Sequence, residues 1–483
     1  MRRLARALDA ATRGQLVLGL VAAFVISRLG YFALGVRFND YPLGVYWQFL
    51  PVRLLRTRLL ESVWHLHAQP PLFNLYLGSV LKLAGDQHAM AFHAVSMLLG
   101  LGVLLGGFAL MRRLGVRALA AAVLSLGLVT SPAFVAYENW LFYSLPMAFL
   151  LLASAFLLEG LLRRGGLAWG GAFFGVLFVI GASRSLFHLA WFVAIVTGLL
   201  LARPRLRGTL LRSAALPLLL LLALYAKNAA LFGSFGLSSW LGMNLARLSV
   251  GEMAQEERED WIADGRLSPA SREVPFSPPD HYPEGLFQVP PRFARVPALA
   301  SLEKLNESVN FNHYGYLRVS DLYRTDALEV MRHDPGLYLR SVAQAWQIYF
   351  RSPSSLQFLG VENRRVLATA FDVYDYACFG RFPWVGAPRG ERGEADFSGA
   401  RYLALLLGLP LLVAFGVLVA VGRAGAGLDS NQRLVVGYLC FNIAWVALFG
   451  NLLELGENNR FRFETDPLSL TLLGLLVQRF TRG

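Results

Sequence analysis

The chain has 483 residues, of which 55% are hydrophobic and only 16% are charged, whereas about 25% of the residues in soluble domains are charged. A soluble globular protein cannot bury that much apolar surface, so the composition indicates an integral membrane protein. The formal net charge is +13, but the basic residues stand in short runs between long apolar stretches, which is typical of cytoplasmic loops of membrane proteins and not of a nucleic-acid-binding surface.

About 20 apolar residues are needed to cross a bilayer, and ten stretches of the sequence approach this length. The arginine runs alternate with the long loops, so the positive-inside rule puts both termini in the cytoplasm and the long loops outside. The first stretch is longer than the core of a signal peptide, which favours a retained span. The ten predicted spans cover residues 15–36, 89–111, 118–136, 141–162, 167–182, 187–202, 213–231, 400–422, 434–453 and 467–479.

Residues 70–85, PPLFNLYLGSVLKLAG, are also apolar but are predicted to lie along the outer interface of the membrane. They begin with two prolines, contain Lys82 and are short for a span. If they crossed the bilayer, every later arginine run would change sides, against the positive-inside rule. An interfacial helix is therefore favoured.

Residues 232–398 differ sharply in composition from the rest of the chain, with Pro, Asp, Glu and Arg throughout. They predict a mixed outer segment between an N-terminal membrane domain, residues 1–231, and a C-terminal membrane domain, residues 399–483. Cys378 lies in the outer segment and Cys440 in a span, so no disulfide is expected. The predicted fold class is an all-α polytopic membrane protein of the bacterial inner membrane, with the outer segment in the periplasm.

Two carboxylates follow predicted spans on the outer side. Asp40 stands in VRFNDYPLG after the first span, and Glu138 stands with Asn139 in AYENW after the third. A carboxylate in such a place can accept a proton from an incoming hydroxyl or amine. The alternative is that each is a solvated loop residue.

Several cations occupy the same outer side. Arg184 and Lys227 stand at the outer ends of spans, where charges are costly and are often functional, although Lys227 could equally snorkel to the interface. The loop ELGENNRFRFETDP contains Arg460 and Arg462, whose planar guanidinium groups suit a phosphate, and Glu457 could orient them. The alternative is a short loop whose charges neutralise one another.

Two histidines, His65 and His67, precede the predicted interfacial helix in WHLHAQPP. Two histidines at this spacing could bind a metal ion on a strand, but nothing else in the sequence completes a ligand set. They are expected to support a phosphate or an acceptor instead. No metal site is assigned, and the only cofactor left open is a divalent cation that would accompany a phosphate.

These features, in this order, resemble the polytopic glycosyltransferase-C superfamily, in particular its protein O-mannosyltransferase and aminoarabinose-transferase branch. The resemblance is carried by the Asp40 loop, HAQPPLFNLYLGSVLKLAG, KNAALFGSFGLSSWLGMNL and NNRFRFETDPL, and it is strongest over residues 15–111. It implies transfer of a sugar from a polyprenyl-phosphate carrier to a protein, lipid or glycan acceptor outside the membrane, with Asp40 as the catalytic carboxylate. Many relatives have an acidic pair where this chain has Asn39 and Tyr41 beside Asp40.

The residues and the resemblance together predict a membrane glycosyltransferase whose partners are a polyprenyl-phosphate sugar and an envelope acceptor. Asp40 would act as the base with help from Glu138. The residues predicted to bind the donor phosphate are Arg460, Arg462, Lys227 and Arg184, with His65, His67, Asn139 and Glu457 in support. The rival prediction is a transporter or flippase for a lipid-linked or anionic substrate, although the sequence lacks the internal repeats typical of transporters. A third is a non-catalytic subunit of an envelope-assembly complex.

Overall fold

The computed structural model describes residues 13–283, 285–304, 308–379, 381–383, 400–424 and 427–481. In these residues nearly all regular structure is helical, as the sequence predicts, and one short antiparallel pair joins β1 (Arg381–Pro383) to β2 (Ala400–Tyr402). The arginines before Arg13 and residues 384–398 of the predicted outer segment lie outside the described residues.

In the described residues, twelve helices precede the predicted outer segment. They are α1 (Arg13–Ala33), α2 (Pro42–Val45), α3 (Val52–Thr57), α4 (Leu59–Trp64), α5 (Pro71–Ala84), α6 (His88–Arg113), α7 (Ala118–Val129), α8 (Pro132–Glu138), α9 (Ser144–Arg164), α10 (Leu167–Gly181), α11 (Leu189–Ala202) and α12 (Arg207–Phe232). The long ones coincide with predicted spans, because an apolar run of this length is stable only when it is buried in lipid or in protein.

Nine helices follow in the part of the chain that the structure describes. The outer segment contains α13 (Leu241–Arg247), α14 (Gln255–Ala263), α15 (Pro297–Ala300), α16 (Gly315–His333), α17 (Pro335–Tyr349) and α18 (Val361–Phe379), and the C-terminal part contains α19 (Leu403–Ala420), α20 (Ser430–Leu453) and α21 (Asn458–Phe480). Buried apolar side chains of the membrane helices and of the outer segment form one continuous cluster. The outer segment is therefore packed onto the helices and not tethered by a linker.

Length and apolarity support six of the predicted spans among the described residues. Five helical stretches meet both conditions, and α7 with α8, which are bent by 59° at the break between them, make a sixth when they are counted as one span. Three further apolar helices, α10, α11 and α19, are shorter. The last helix, α21, begins with charged residues. The chain thus has the helices of a multi-span membrane protein, and the full count of ten spans stays a prediction.

The chain turns back on itself between α5 and α6. Tyr76 of α5 and Phe92 of α6 have ring centroids only 5.7 Å apart, whereas residues 16 positions apart on one straight helix would be separated by about 24 Å. Gly85, at the turn, has φ of +54°, which favours glycine. The helix predicted over residues 70–85 is thus distinct from the span that follows it, and its position at the interface stays a prediction.

Helix α21 lies at the centre of the bundle, packed against α6, α7, α9, α17, α19 and α20. Its charged first half is buried along with its apolar second half, and Arg460, Arg462 and Glu464 are each at most 2% exposed. Buried charges need partners close by. The loop and helix start that the sequence marks as rich in charge are therefore held inside the protein.

Candidate functional site

A cavity of about 710 Å³ lies where the start of α11 and the last turns of α12 and α20 meet the predicted outer segment. Its apolar wall comes from membrane helices and their ends and includes Leu189, Val193, Tyr225, Phe235, Phe449 and Leu453. Its polar wall comes from loops and from α13 and includes Gln48, Gln69, Arg184, Asn244, Arg247, Glu454 and Glu457. The cavity is therefore amphipathic, with its apolar side on the apolar helices and its polar side on the loops and α13.

One face of α13 supplies three of the lining residues. Trp240, which caps the helix, Asn244 and Arg247 stand at i, i+4 and i+7, which places them on the same face of a helix. The opposite face is pressed against α16, since the amide of Gly242 donates to Ser320 Oγ at 3.1 Å and a Cβ at Gly242 would collide with the Ser320 carbonyl. This close approach fixes which face of α13 turns to the cavity.

Arg247 lines the cavity, and its positive charge acts on Glu454 from beyond ion-pair distance. Among the described residues, no carboxylate oxygen lies within 4.0 Å of its guanidinium. Its Nη2 stands 3.4 Å from the place that a Cβ on Gly456 would take, which sets it against the loop before α21. A half-buried arginine without an ion pair can bind an anion that enters the cavity.

Arg184, in the loop between α10 and α11, also lines the cavity. Its guanidinium contacts the carboxylate of Glu464 in α21 and lies over the rings of Tyr143 and Phe461, at 5.1 and 4.7 Å. Burial lowers the pKa of Arg184 to about 10, so the side chain stays charged near neutral pH. It adds positive charge to the polar wall but already has one carboxylate partner.

Arg460 lies beneath the loop and not on the cavity wall. Its Nη2 is 2.7 Å from Glu457 Oε2 and 3.8 Å from Glu454 Oε1, and only 1% of the side chain is exposed. Both carboxylates line the cavity. Withdrawal from bulk water raises the pKa of Glu454, although the nearby Arg460 works in the opposite direction. Arg460 thus holds two cavity carboxylates in place.

Two other predicted phosphate ligands have protein partners elsewhere. Arg462 donates to the carbonyls of Tyr349 and Arg351, at 3.1 and 2.9 Å, and to Asp466 at 3.1 Å. Lys227 donates to the carbonyls of Trp64, at 2.8 Å, and Leu66, at 3.3 Å. Neither lines the cavity. Arg462 joins α21 to the end of α17, and Lys227 holds the chain after α4.

Asp40 lies outside the cavity, at the outer end of α6. Its carboxylate is 37% exposed and stands 3.5 Å from Nε2 of His88. The preceding residue, Asn39, pairs by backbone hydrogen bonds with Asn139 and Leu141, at 2.8 and 3.0 Å. This pairing joins the Asp40 loop to the chain that leads to Tyr143 on the cavity wall. The catalytic role of Asp40 stays a prediction.

Glu138 is completely buried and pairs with a residue of α1. Both of its oxygens accept hydrogen bonds from Arg28, at 2.8 Å each, and the side chains are 0% and 7% exposed. The adjacent Asn139 donates to the carbonyl of Val135 at 2.9 Å. The sequence offers a signal for this pair, because an arginine inside an apolar span requires a partner. The pair ties α1 to α8, and its acid is turned away from the cavity.

We expect Glu138→Gln to lower the stability of the protein, because it leaves Arg28 charged and buried without its partner. The expected cost is about 3–5 kcal/mol, measured as a lower thermal midpoint in detergent. A double variant, Arg28→Met with Glu138→Gln, should recover most of the loss, since it removes the unpaired charge. Unchanged stability of the single variant would contradict a structural role for Glu138.

The two histidines of the first outer loop have separate surroundings. His65 Nδ1 stands 2.9 Å from the carbonyl of Glu61. His67 is buried, with Nε2 3.0 Å from the carbonyl of Asn312 and Nδ1 2.8 Å from Ser239 Oγ. A carbonyl can only accept, so Nε2 of the neutral ring carries the proton and Nδ1 accepts from the serine. His67 therefore joins the first loop to the outer segment.

In the described part of the chain, no three His, Cys, Asp or Glu side chains are placed together to hold a metal ion. It stays a prediction that the protein has no metal site of its own. It also stays a prediction that a divalent cation could accompany a bound phosphate.

Burial lowers the pKa of His67 to about 3, which makes the stability of the protein depend on pH. The unfolded chain takes up a proton at this residue near pH 6.5 while the folded chain does not, so the free energy of unfolding should fall as the pH drops from 6.5 towards 3. In His67→Gln, which keeps a donor and an acceptor but cannot titrate, this part of the fall should disappear. Thermal midpoints of both proteins across that range provide the measurement, and parallel curves would contradict the assignment.

No model of a known protein family matches the chain, and no curated protein matches its sequence. Two solved structures are similar over most of it. The archaeal oligosaccharyltransferase AglB from Archaeoglobus fulgidus, in complex with an inhibitory peptide and a dolichol-phosphate, is 10% identical, with 95% of this chain and 50% of that chain covered and a TM-score of 0.37. ArnT from Cupriavidus metallidurans, bound to undecaprenyl phosphate, is 16% identical, with 98% and 78% covered and a TM-score of 0.35.

The chain spans about half the length of AglB. Both TM-scores lie below 0.5, so the two likenesses carry no functional conclusion for this chain.

Proposed function

We propose that the chain is a membrane glycosyltransferase that takes a sugar from a polyprenyl-phosphate carrier and transfers it to an envelope acceptor on the outer face of the membrane. The observation that supports this most is the amphipathic cavity, in which Arg247 lacks an ion pair among the described residues and stands close to an apolar wall built by α11, α12 and α20. A lipid phosphate has the same two parts, a charged head and a long apolar tail.

The phosphate of the carrier is proposed to bind Arg247. Arg184, in the loop between α10 and α11, adds positive charge. A guanidinium group can hold two phosphate oxygens at once. Its attraction to the phosphate grows as the bond to the sugar breaks and negative charge builds up on the leaving phosphate. Arg460 acts indirectly, because it fixes Glu454 and Glu457 beside the cavity. The apolar tail would lie along Leu189 and Val193 of α11.

The transfer needs a base for the acceptor, and Asp40 is proposed for this role. The acceptor hydroxyl or amine would give its proton to the carboxylate and bond to the anomeric carbon of the sugar. The bond from that carbon to the phosphate oxygen would break, and its electron pair would stay on the phosphate. Glu454 is the alternative base, since it lines the cavity and its raised pKa makes it a stronger base than an ordinary carboxylate.

The test compares envelope lipids and glycans, by mass spectrometry, from cells that lack the chain and from cells that carry it or its Arg247→Ala variant. We expect an envelope component to lose the mass of one sugar in the deletion and to regain it only with the unaltered chain. The purified protein in sealed vesicles separates the rival function. Movement of a lipid-linked substrate across the membrane without any covalent product would overturn the proposal in favour of a transporter.

A further inference from the structure

Four polar side chains on the cavity wall have no hydrogen-bond partner among the described residues. Three are the half-buried amides of Gln48, Gln69 and Asn244, and the fourth is the indole N–H of Trp240, a residue that is only 6% exposed. By contrast, the buried amides of Asn74 and Asn312 both donate to and accept from backbone groups. A buried indole N–H usually finds a partner, so this wall is built to bind a polar molecule.

The four groups are held in place by hydrogen bonds between the segments that carry them. The carbonyl of Gln48 accepts from the side chain of Asn74 at 3.0 Å, which ties this loop to α5. Ser238 Oγ donates to the carbonyl of Ala68 at 2.8 Å, and the backbone N–H of Ser239 donates to the carbonyl of His67 at 2.9 Å. The segments just before Gln69 and Trp240 are thus joined directly to each other.

Aromatic rings complete this part of the cavity. Trp47 is 43% exposed and lines the cavity, and its ring stacks on Phe276 with centroids 5.4 Å apart. Trp240 meets the same phenylalanine edge to face at 5.3 Å. A fixed indole face with amides around it suits a molecule that has an apolar C–H face and a rim of hydroxyl groups.

The lack of charge on the four groups of this wall also limits which molecules the cavity would bind. An amide offers a donor and an acceptor, as a hydroxyl does, and carries no charge. Of the charged groups that line the cavity, Arg184, Glu454 and Glu457 come from other segments, and Arg247 lies one turn after Asn244 on α13. The two carboxylates already face Arg460. The four groups of the amide wall therefore include no carboxylate to balance the ammonium group of an amino sugar.

We infer that Gln48, Gln69, Trp240 and Asn244 form a subsite that reads the hydroxyl groups of an uncharged sugar, and that the chain thereby prefers carriers loaded with a neutral hexose over carriers loaded with an amino sugar. This inference rests on the proposed function, because it takes the phosphate end of the same carrier to be bound by Arg247. It assigns a specificity role to residues that make no contact with the phosphate.

The test uses the full chain in lipid nanodiscs and native mass spectrometry with three probes: undecaprenyl phosphate, the same carrier bearing mannose and the same carrier bearing 4-amino-4-deoxyarabinose. We expect the unaltered chain to bind the mannose-loaded carrier more tightly than the other two. Trp240→Phe, which keeps the ring and removes the N–H, and Gln69→Ala should each weaken binding of the mannose-loaded carrier about tenfold. Both should bind undecaprenyl phosphate as the unaltered chain does.

Matched controls are Trp261→Phe in α14 and Gln347→Ala in α17, which remove the same groups away from the cavity and should change no affinity. Equal affinity of the unaltered chain for loaded and unloaded carriers, or tighter binding of the amino sugar, would overturn the inference while leaving the proposed function in place. The inference would also fail if Gln69→Ala and Trp240→Phe changed no affinity or weakened all three probes equally. Failure of the unaltered chain to bind any of the probes would overturn the proposed function and the inference with it.

Discussion

Arg247→Ala is expected to lower the affinity of the chain for undecaprenyl phosphate by about 30-fold or more. The substitution removes the cavity cation that has no carboxylate within 4.0 Å among the described residues, and truncation of one partner of a buried charge pair costs about 2–5 kcal/mol. Binding to the purified chain in nanodiscs is the measurement. Arg247→Lys should recover only part of the affinity, because an ammonium group keeps the charge but cannot hold two oxygens in the plane of a guanidinium.

The control for this prediction is Arg272→Ala in the outer segment. Arg272 is exposed and pairs with Glu259 at 3.0 Å, away from the cavity, so its removal should leave the affinity unchanged. Equal affinities for the unaltered chain and for Arg247→Ala would place the phosphate elsewhere. Arg184, the other lining arginine, would then be the next residue to test. Because Arg184 also pairs with the buried Glu464, its substitution would lower stability as well as affinity.

Asp40→Asn is expected to reduce sugar transfer by at least about 100-fold, the usual contribution of a positioned base, while binding of undecaprenyl phosphate stays unchanged. Asparagine has the same shape as aspartate but cannot accept the proton. The measurement is the transfer rate at saturating donor, once the sugar has been identified from the envelope comparison. Binding and rate are expected to change independently because Asp40 is not among the residues proposed to hold the phosphate and the tail of the carrier.

Asp86 provides a matched control, since it belongs to the same outer surface, is fully exposed and stands 3.8 Å from Arg56. Asp86→Asn should transfer sugar at the normal rate. If Asp40→Asn also kept the normal rate and Glu454→Gln lost it, the base would be the carboxylate on the cavity wall. That result would place the whole reaction inside the cavity and would leave Asp40 with a role in the loop.

The helices were largely predictable because their signals are local. The structure has α5 over Pro71–Ala84 and α6 over His88–Arg113, close to the predicted ranges 70–85 and 89–111. Two prolines start the first helix and Gly85 ends it, and both effects act on the backbone of the residues themselves. Arginine runs flank the apolar stretches and predict their inner ends in the same direct way.

The partners of the charged residues were not predictable in this way. Arg460 and Arg462 are two positions apart on one helix, yet the first pairs with Glu457 and the second with carbonyl groups at the end of α17. Arg28, which completes the pair with Glu138, is 110 positions away from it. The sequence does not mark Arg247, because an arginine that ends a seven-residue helix looks like a surface residue.

The sequence by itself determined that the chain is a helical membrane protein, where its long helices lie and which segments carry the charge, because hydrophobic length and composition act residue by residue. Only the tertiary structure decided which of those charges remain free to bind a ligand. A cation is available or occupied according to the groups that other helices bring within a few ångströms of it. That distance is set by packing, as in the close approach of Gly242 to Ser320 that turns Trp240, Asn244 and Arg247 towards the cavity.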